Sequence, residues 1–335
     1  MKPVKIVMAG LAHAHGTAFL KDALRRENVS VLGFFDADNP ENAHAASLEF
    51  GAPVYDSLEE LFSLGANTLL TARINSEKPE YIIRALEHGI GVIADKPMVT
   101  SEADLDAIEA AAGRTGAPLY LLLTERFSPA MYTAKKLIDS GAVGSIVQQY
   151  LVRPHRLRPE KRPDWMMYHP ECYGGIINDI GVHDFDLARW FSGCEAESIL
   201  GASVSCARNT SYPGFEDNGM ALVRMENGGS ACVSVNWLTP DAYPAHGDTR
   251  FFLVGTHGAV DILSVENKVR WYSDSVPETW AEILTPPCGC VDDALETMAD
   301  PEHHIPVIST EDSVRSTRIA LAAEAAAHGK TLRLK

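Results

Sequence analysis

The stretch VMAGLAHAHG, Val7 to Gly16, carries the reading of the fold. A hydrophobic run stops at Gly10, two histidines follow two residues apart, and a second glycine closes the stretch. Two chemistries begin this way. A glycine-rich turn between strand and helix cradles a dinucleotide pyrophosphate, its glycines allowing a tight turn and close backbone approach. A His-x-His at the end of a first strand instead opens metal-dependent (β/α)8 hydrolases, which need further His and Asp ligands at later strand ends. The loop alone fits both readings. Gly10 makes the turn, but Ala12 stands where the second glycine of the dinucleotide motif usually falls, and His15 where the third does.

The flanking pattern separates the two. Over the first 120 residues short apolar runs alternate with helical spacings: VKIVMAG, a helix over 17–27, VSVLGFFDAD, a helix in DSLEELFSLG capped by Asp56 with Glu59 three residues on, NTLLTA, KPEYIIRALEHG, GIGVIAD, TSEADLDAIEAAAGRTG and APLYLLLT. Such alternation with short links predicts parallel strands and right-handed crossovers, a doubly wound α/β Rossmann domain over 1–123. The alternation stops near the fifth strand, short of a (β/α)8 barrel, and no later histidine cluster follows at strand ends; no metal is expected. Beyond 123 come a helix in SPAMYTAKKLIDSG, the strand SIVQQYLV, an irregular Pro/Arg stretch, a helical run over about 176–191, and several strand-like runs between about 198 and 273. This predicts an α+β domain over 124–335 with a large, mainly antiparallel sheet. The closing helix TEDSVRSTRIALAAEAAAHG and the strand-like KTLRLK could pack back on the first domain.

Composition bounds the partners. Of 335 residues, 46% are hydrophobic and 22% charged, and the formal net charge is −16. That excess of acid argues against nucleic acid, which needs a basic footprint. No apolar run approaches membrane-spanning length, and the opening MKPVKIVMAG lacks the features of a secretion signal. The six cysteines show no CxxC pairing and read as reduced thiols. A cytoplasmic protein is expected.

Asp36 closes the second strand at the distance where a dinucleotide fold places its ribose-binding acid. A carboxylate there accepts ribose hydroxyls and repels a 2′-phosphate, which favours NAD over NADP; alternatively it is an ordinary turn aspartate. His13 and His15 either donate N–H groups near the phosphates or cap the helix start. Further on, VIADKPMVT ends a strand with Asp95-Lys96-Pro97, and YGGIINDIGVHDFDLARW places Asp179 and His183 four apart, on one helix face. An imidazole titrates near working pH and suits general acid–base chemistry, and a nearby carboxylate can orient it.

With these motifs the chain resembles the Gfo/Idh/MocA family of nucleotide-dependent oxidoreductases. The likeness extends to ERFSPA (125–130), LIDSGAVGSI (137–146), FFLVGTHGAV (251–260) and the closing helix. The resemblance implies NAD(H)-linked hydride transfer at a carbinol of a sugar, cyclitol or similar molecule. Lys96 is then expected to touch both cofactor and substrate, with Asp179 as the paired acid and His183 as the general base. Gly10, Leu11, Ala12, His13, His15, Asp36, Ala72, Asn75, Asp95 and Lys96 are the expected cofactor contacts, and a homodimer or homotetramer is implied. The chain departs from the family where Asp95 replaces a glutamate. It departs again where Arg73, Ile74 and Asn75 stand in the places of Thr-Pro-Asn and Lys78 where the segment's histidine falls. Two other outcomes stay compatible with the same residues: an NAD-assisted lyase or glycosidase using transient oxidation, and a dinucleotide-binding regulator without turnover.

One local feature stands apart. RPHRLRPEKRPDWM gathers Arg153, Arg156, Arg158, Lys161 and Arg162 into ten residues of an acidic chain. It reads either as a basic rim that draws an anionic substrate, with Arg156 as a contact, or as a solvated loop or subunit contact. Trp165 either stacks on a sugar face or on the nicotinamide side, or packs in the core.

Overall fold

A computed structural model describes residues 2–329; the strand-like KTLRLK, from Lys330 on, lies outside them. The chain divides into two compact units. One holds residues up to Leu123 together with Glu171–Gly174 and Cys288–Val314; the other holds Thr124–Pro170, Gly175–Pro287 and the chain from Arg315 on.

The first unit is built on β1 (Val4–Ala9), β2 (Val29–Phe35), β3 (Thr68–Thr71), β4 (Gly91–Ala94) and β5 (Leu119–Leu121). These pair in the order β2-β1-β3-β4-β5, all parallel. Every residue of β3 and β4 is buried, as expected for parallel strands covered on both faces by helices. Helices begin and end close to their sequence signals. Ser101 caps Glu102–Thr115 by accepting from Asp104 N, and Gly116 ends that helix with a left-handed φ of +70°. Two starts differ from expectation. The first helix is Ala14–Ala23, three residues earlier than its apolar spacing suggests. The capping box sits one residue later, with Ser57 accepting from Glu60 N and Glu60 accepting from Asp56 N. The edge strand β5 is closed by hydroxyls from the returning chain: Leu119 N donates to Thr310 Oγ1 and Leu121 N to Ser313 Oγ.

The second unit carries an eight-stranded sheet of β6 (Ile146–Pro154), β7 (Ala196–Ser205), β8 (Asn218–Met225), β9 (Ser230–Asn236), β10 (Arg250–Gly255), β11 (Gly258–Leu263), β12 (Lys268–Ser273) and β13 (Thr279–Trp280). The order is β13-β12-β11-β10-β6-β9-β8-β7, antiparallel except for the β6–β9 pair. Burial alternates strictly along β8 and through the middle of β6, so one face packs on helices. The other face shows Tyr150, Val152, Met220 and Leu222. The helical run over 176–191 is two helices, Ile176–Asp179 and Gly181–Ser192, joined at Ile180. No helix among the described residues is long and apolar enough to cross a membrane.

Candidate functional site

In the first unit the chain leaves β1 and turns at Gly10, whose φ of +74° is left-handed and where a Cβ would lie 2.4 Å from Arg73 Cβ. Only glycine fits there. Gly10 N donates to Phe35 O, and Ala72 N donates to Gly10 O. The loop is then pinned by Asp36: its Oδ2 accepts from Leu11 N at 2.7 Å, and its Oδ1 accepts from Asp38 N and Asn39 N. Burial pushes the Asp36 carboxyl up, against the pull of those three N–H groups. Ala12 follows, and His13 N donates to Ala72 O. Ala72 thus holds the loop at two points through its backbone.

The third glycine of the dinucleotide pattern is present one place late. A Cβ on Gly16 would meet Met8 Cε at 2.7 Å and Ala72 Cβ at 2.8 Å. Gly16, not the residue at 15, provides the close helix–strand packing that the motif requires. That frees His15 to point elsewhere. His15 Nδ1 lies 3.1 Å from Asp95 Oδ1 and His13 Nδ1 lies 3.4 Å from Asp95 Oδ2, with the two rings 4.2 Å apart. Burial pushes the Asp95 carboxyl up, yet His15, His13 and Lys78 together hold it below the usual carboxylate range.

Asp95, Lys96 and Pro97 follow β4, with a cis Lys96-Pro97 bond. Lys96 N donates to Asp95 Oδ1, and the Lys96 side chain is nearly buried. Beneath them lies Lys78, fully buried. Its ammonium donates to Pro97 O at 2.7 Å, Asp95 O at 2.9 Å and Asn75 Oδ1 at 3.4 Å. Asn75 in turn donates to Tyr173 O. The departures from the family pattern are therefore built into the fold. Arg73 forks onto Asp38 at 2.6 and 3.1 Å, donates to Glu80, and stacks on Tyr81 at 3.9 Å. Sequence reasoning found Arg73 and Lys78 only as mismatches; a lysine placed where a helix face turns inward was the available sign of its three carbonyl-type acceptors.

In the second unit Asp179 ends the short helix and His183 lies in the first turn of the next; both are buried. Gly175 has φ +88°, and a Cβ there would sit 2.1 Å from Glu324 Cδ. Glu324 uses that space to accept from Ile177 N at 2.9 Å and Asn178 N at 3.2 Å, clamping the backbone that leads to Asp179. Burial pushes the Glu324 carboxyl up to about 8, and the charge of Glu216 pushes the same way. The His183 helix is tied by two buried pairs, Arg126 with Asp186 at 2.6 Å and Arg153 with Asp184 at 2.8 Å. Burial pushes the Asp184 carboxyl up to about 6 against the pull of Arg153.

The basic rim is smaller than the sequence suggests. Arg153 is consumed by Asp184 and Glu125. Arg156 is buried and donates to the carbonyls of Tyr243 and Ala245. Arg162 lies over the Trp237 ring. Arg158 and Lys161 are the exposed members. Trp165 is half-buried in the helix Asp164–Tyr168.

Comparison with known proteins agrees with this architecture. Residues 4–122 match the oxidoreductase family with an NAD-binding Rossmann fold, and residues 131–261 match the Gfo/Idh/MocA C-terminal domain. Inositol 2-dehydrogenase 2 of Saccharopolyspora erythraea is 27% identical over 264 residues, 77% of this chain and 72% of that protein. The 2,7-anhydro-N-acetylneuraminate hydratase of Mediterraneibacter gnavus is 23% identical over 263 residues, 78% of this chain and 68% of that protein. An Agrobacterium radiobacter oxidoreductase, solved with NAD+, L-tartaric acid and magnesium, shares the fold with a TM-score of 0.84 at 17% identity, over 99% of this chain and 98% of that one. The chain belongs to the Gfo/Idh/MocA family of oxidoreductases, and its Rossmann domain is of the NAD-binding kind.

Proposed function

We propose that the chain transfers a hydride between NAD(H) and a carbinol or carbonyl carbon of a cyclitol, sugar or related polyhydroxylated molecule. The observation that carries this reading is the Gly10 turn locked by Asp36 on Leu11 N, with Gly16 packed on Met8. It offers the tight turn, close backbone approach and strand-end acid that a dinucleotide needs. When bound, the nicotinamide supplies the hydride acceptor or donor at C4. Leu11, Ala12, His13 and His15 would hold the pyrophosphate, Asp36 the ribose hydroxyls, and Ala72, Asn75 and Asp95 would line the nicotinamide side.

His183 takes the carbinol proton in oxidation and returns it in reduction, oriented by Asp179. Lys96 donates a hydrogen bond to the substrate, so developing negative charge is met by a cation. Trp165 is retained as a substrate contact. Arg156 is not, because it is buried and its Nη2 is taken by two carbonyls. The dehydrogenase relative supports a cyclitol as first substrate to try. The open sheet face with Tyr150, Val152, Met220 and Leu222 supports assembly as a homodimer or homotetramer.

The hydratase relative favours a second reading, in which transient oxidation acidifies a neighbouring C–H and permits elimination or addition. An NAD-linked screen of cyclitols, sugars and sugar acids separates the two. Hydride transfer predicts stoichiometric NADH and a loss of about 100-fold or more in kcat/KM for His183→Ala. Product formed with catalytic NAD and no net NADH selects the second reading. Full activity of His183→Ala on an identified substrate would remove the assigned base.

A further inference from the structure

The cluster His13, His15 and Asp95 does more than a nucleotide loop asks of it. Its three ligating groups lie within 4.8 Å of one another. The Asp95 carboxylate is 2% exposed, and its Oδ2 is buried without a hydrogen bond among the described residues. Asp95 Oδ1, by contrast, accepts from Lys96 N, and the Asp95 carbonyl accepts from Lys78 Nζ. The carboxylate is thus fixed from behind while its two oxygens face the imidazoles, Oδ1 towards His15 and Oδ2 towards His13. Both imidazoles present Nδ1 to it. Around a four-coordinate ion with bonds of roughly 2.0–2.1 Å, neighbouring ligand atoms stand about 3.3 Å apart. The observed separations are 3.1 Å from His15 Nδ1 to Oδ1 and 3.4 Å from His13 Nδ1 to Oδ2.

We propose that His13, His15 and Asp95 form a binding site for one divalent transition-metal ion of the zinc, cobalt or nickel kind. Two imidazoles and one carboxylate suit such ions rather than magnesium or calcium, which prefer all-oxygen shells. His15 is half exposed, so the remaining positions take water, as in sites that keep an open coordination position. In the metal-free state both Nδ1 atoms face the Asp95 carboxylate; the ion replaces both contacts at once. The site stands without the dinucleotide reading, although it shares residues with it.

The test uses the full chain, stripped by a chelator and free of nucleotide, titrated with Co2+ and followed by visible d–d absorption. One saturable equivalent is expected, displaced by Zn2+. His13→Ala and His15→Ala should each weaken Co2+ binding by about 100-fold or more, beyond what outer-shell changes usually do. His328→Ala serves as control, because Glu216, Glu324 and His328 form the other such cluster among the described residues; it should bind as the parent does. Circular dichroism verifies that each variant folds, and His15→Ala, altering an exposed ring, is the safest of them. No d–d band from the parent, unchanged affinity in both loop variants, or loss in His328→Ala alone overturns the site. NADH titration of the same metal-free protein is read separately: NADH binding without Co2+ binding removes the metal site only, and Co2+ binding without NADH binding removes the dinucleotide reading only.

Discussion

At the Gly10–Gly16 turn the backbone is held by short-range locks: Asp36 on Leu11 N, and Ala72 on both Gly10 and His13. The imidazoles there remain partly open to solvent. At the Gly175–His183 stretch the locks come from far along the chain: Glu324 on Ile177 N and Asn178 N, Arg126 on Asp186, Arg153 on Asp184. Here the proposed catalytic side chains are buried. A ligand-receiving loop needs a fixed backbone with accessible donors, whereas a general base needs a fixed side chain, and buried charge pairs on its helix contribute to that fixity.

The largest expected effect breaks the second region. Gly175→Ala combines a conformation that L residues rarely adopt with a clash on Glu324, so it should cost about 3 kcal/mol or more in urea denaturation. A cost below roughly 1 kcal/mol would show that the clamp is soft. Next comes Lys78→Met in the first region. It leaves the Asp95 and Pro97 carbonyls without their donor in a buried place, for a loss of about 2–3 kcal/mol and weaker NADH binding.

A pH effect sharpens the contrast. The folded-state pKa of Glu324 is pushed up to about 8 from an ordinary 4.5, with Glu216 also raised. The folded chain therefore holds protons that the unfolded chain releases, and stability falls as pH rises through that window. Denaturation midpoints from pH 5 to pH 8 should show a decline on the order of 2 kcal/mol, largely flattened in Glu324→Gln. The smallest effect tests the basic loop: Arg156→Gln should cost about 1–2 kcal/mol through its two carbonyls, while Arg158→Gln stays within about 0.5 kcal/mol.

The two regions were unequally legible in the sequence. Gly10, Asp36 and the Asp95-Lys96-Pro97 turn are local signals, and each stands out in the sequence by its spacing. The strand alternation and the change of pattern after residue 123 followed from hydrophobic period alone. Gly16 was missed because His15 occupies the expected place and the packing of a glycine on Met8 is a tertiary fact. Ser57 displaced Asp56 as a cap because adjacent polar residues compete for one position. Glu324 was invisible as a clamp: nothing near it in sequence points to residues 175–178. The enclosure of Arg153 and Arg156 was not legible because counting arginines says nothing of the carboxylates and carbonyls that surround them.

The most direct test of the central claim is equilibrium binding of NADH and NADPH to the full chain, read by quenching of tryptophan emission. The account predicts saturable NADH binding and NADPH binding at least about tenfold weaker, some 1.4 kcal/mol, because Asp36 meets the 2′-phosphate. Equal affinities would contradict the role of Asp36, and binding of neither nucleotide would contradict the dinucleotide site at Gly10–Gly16.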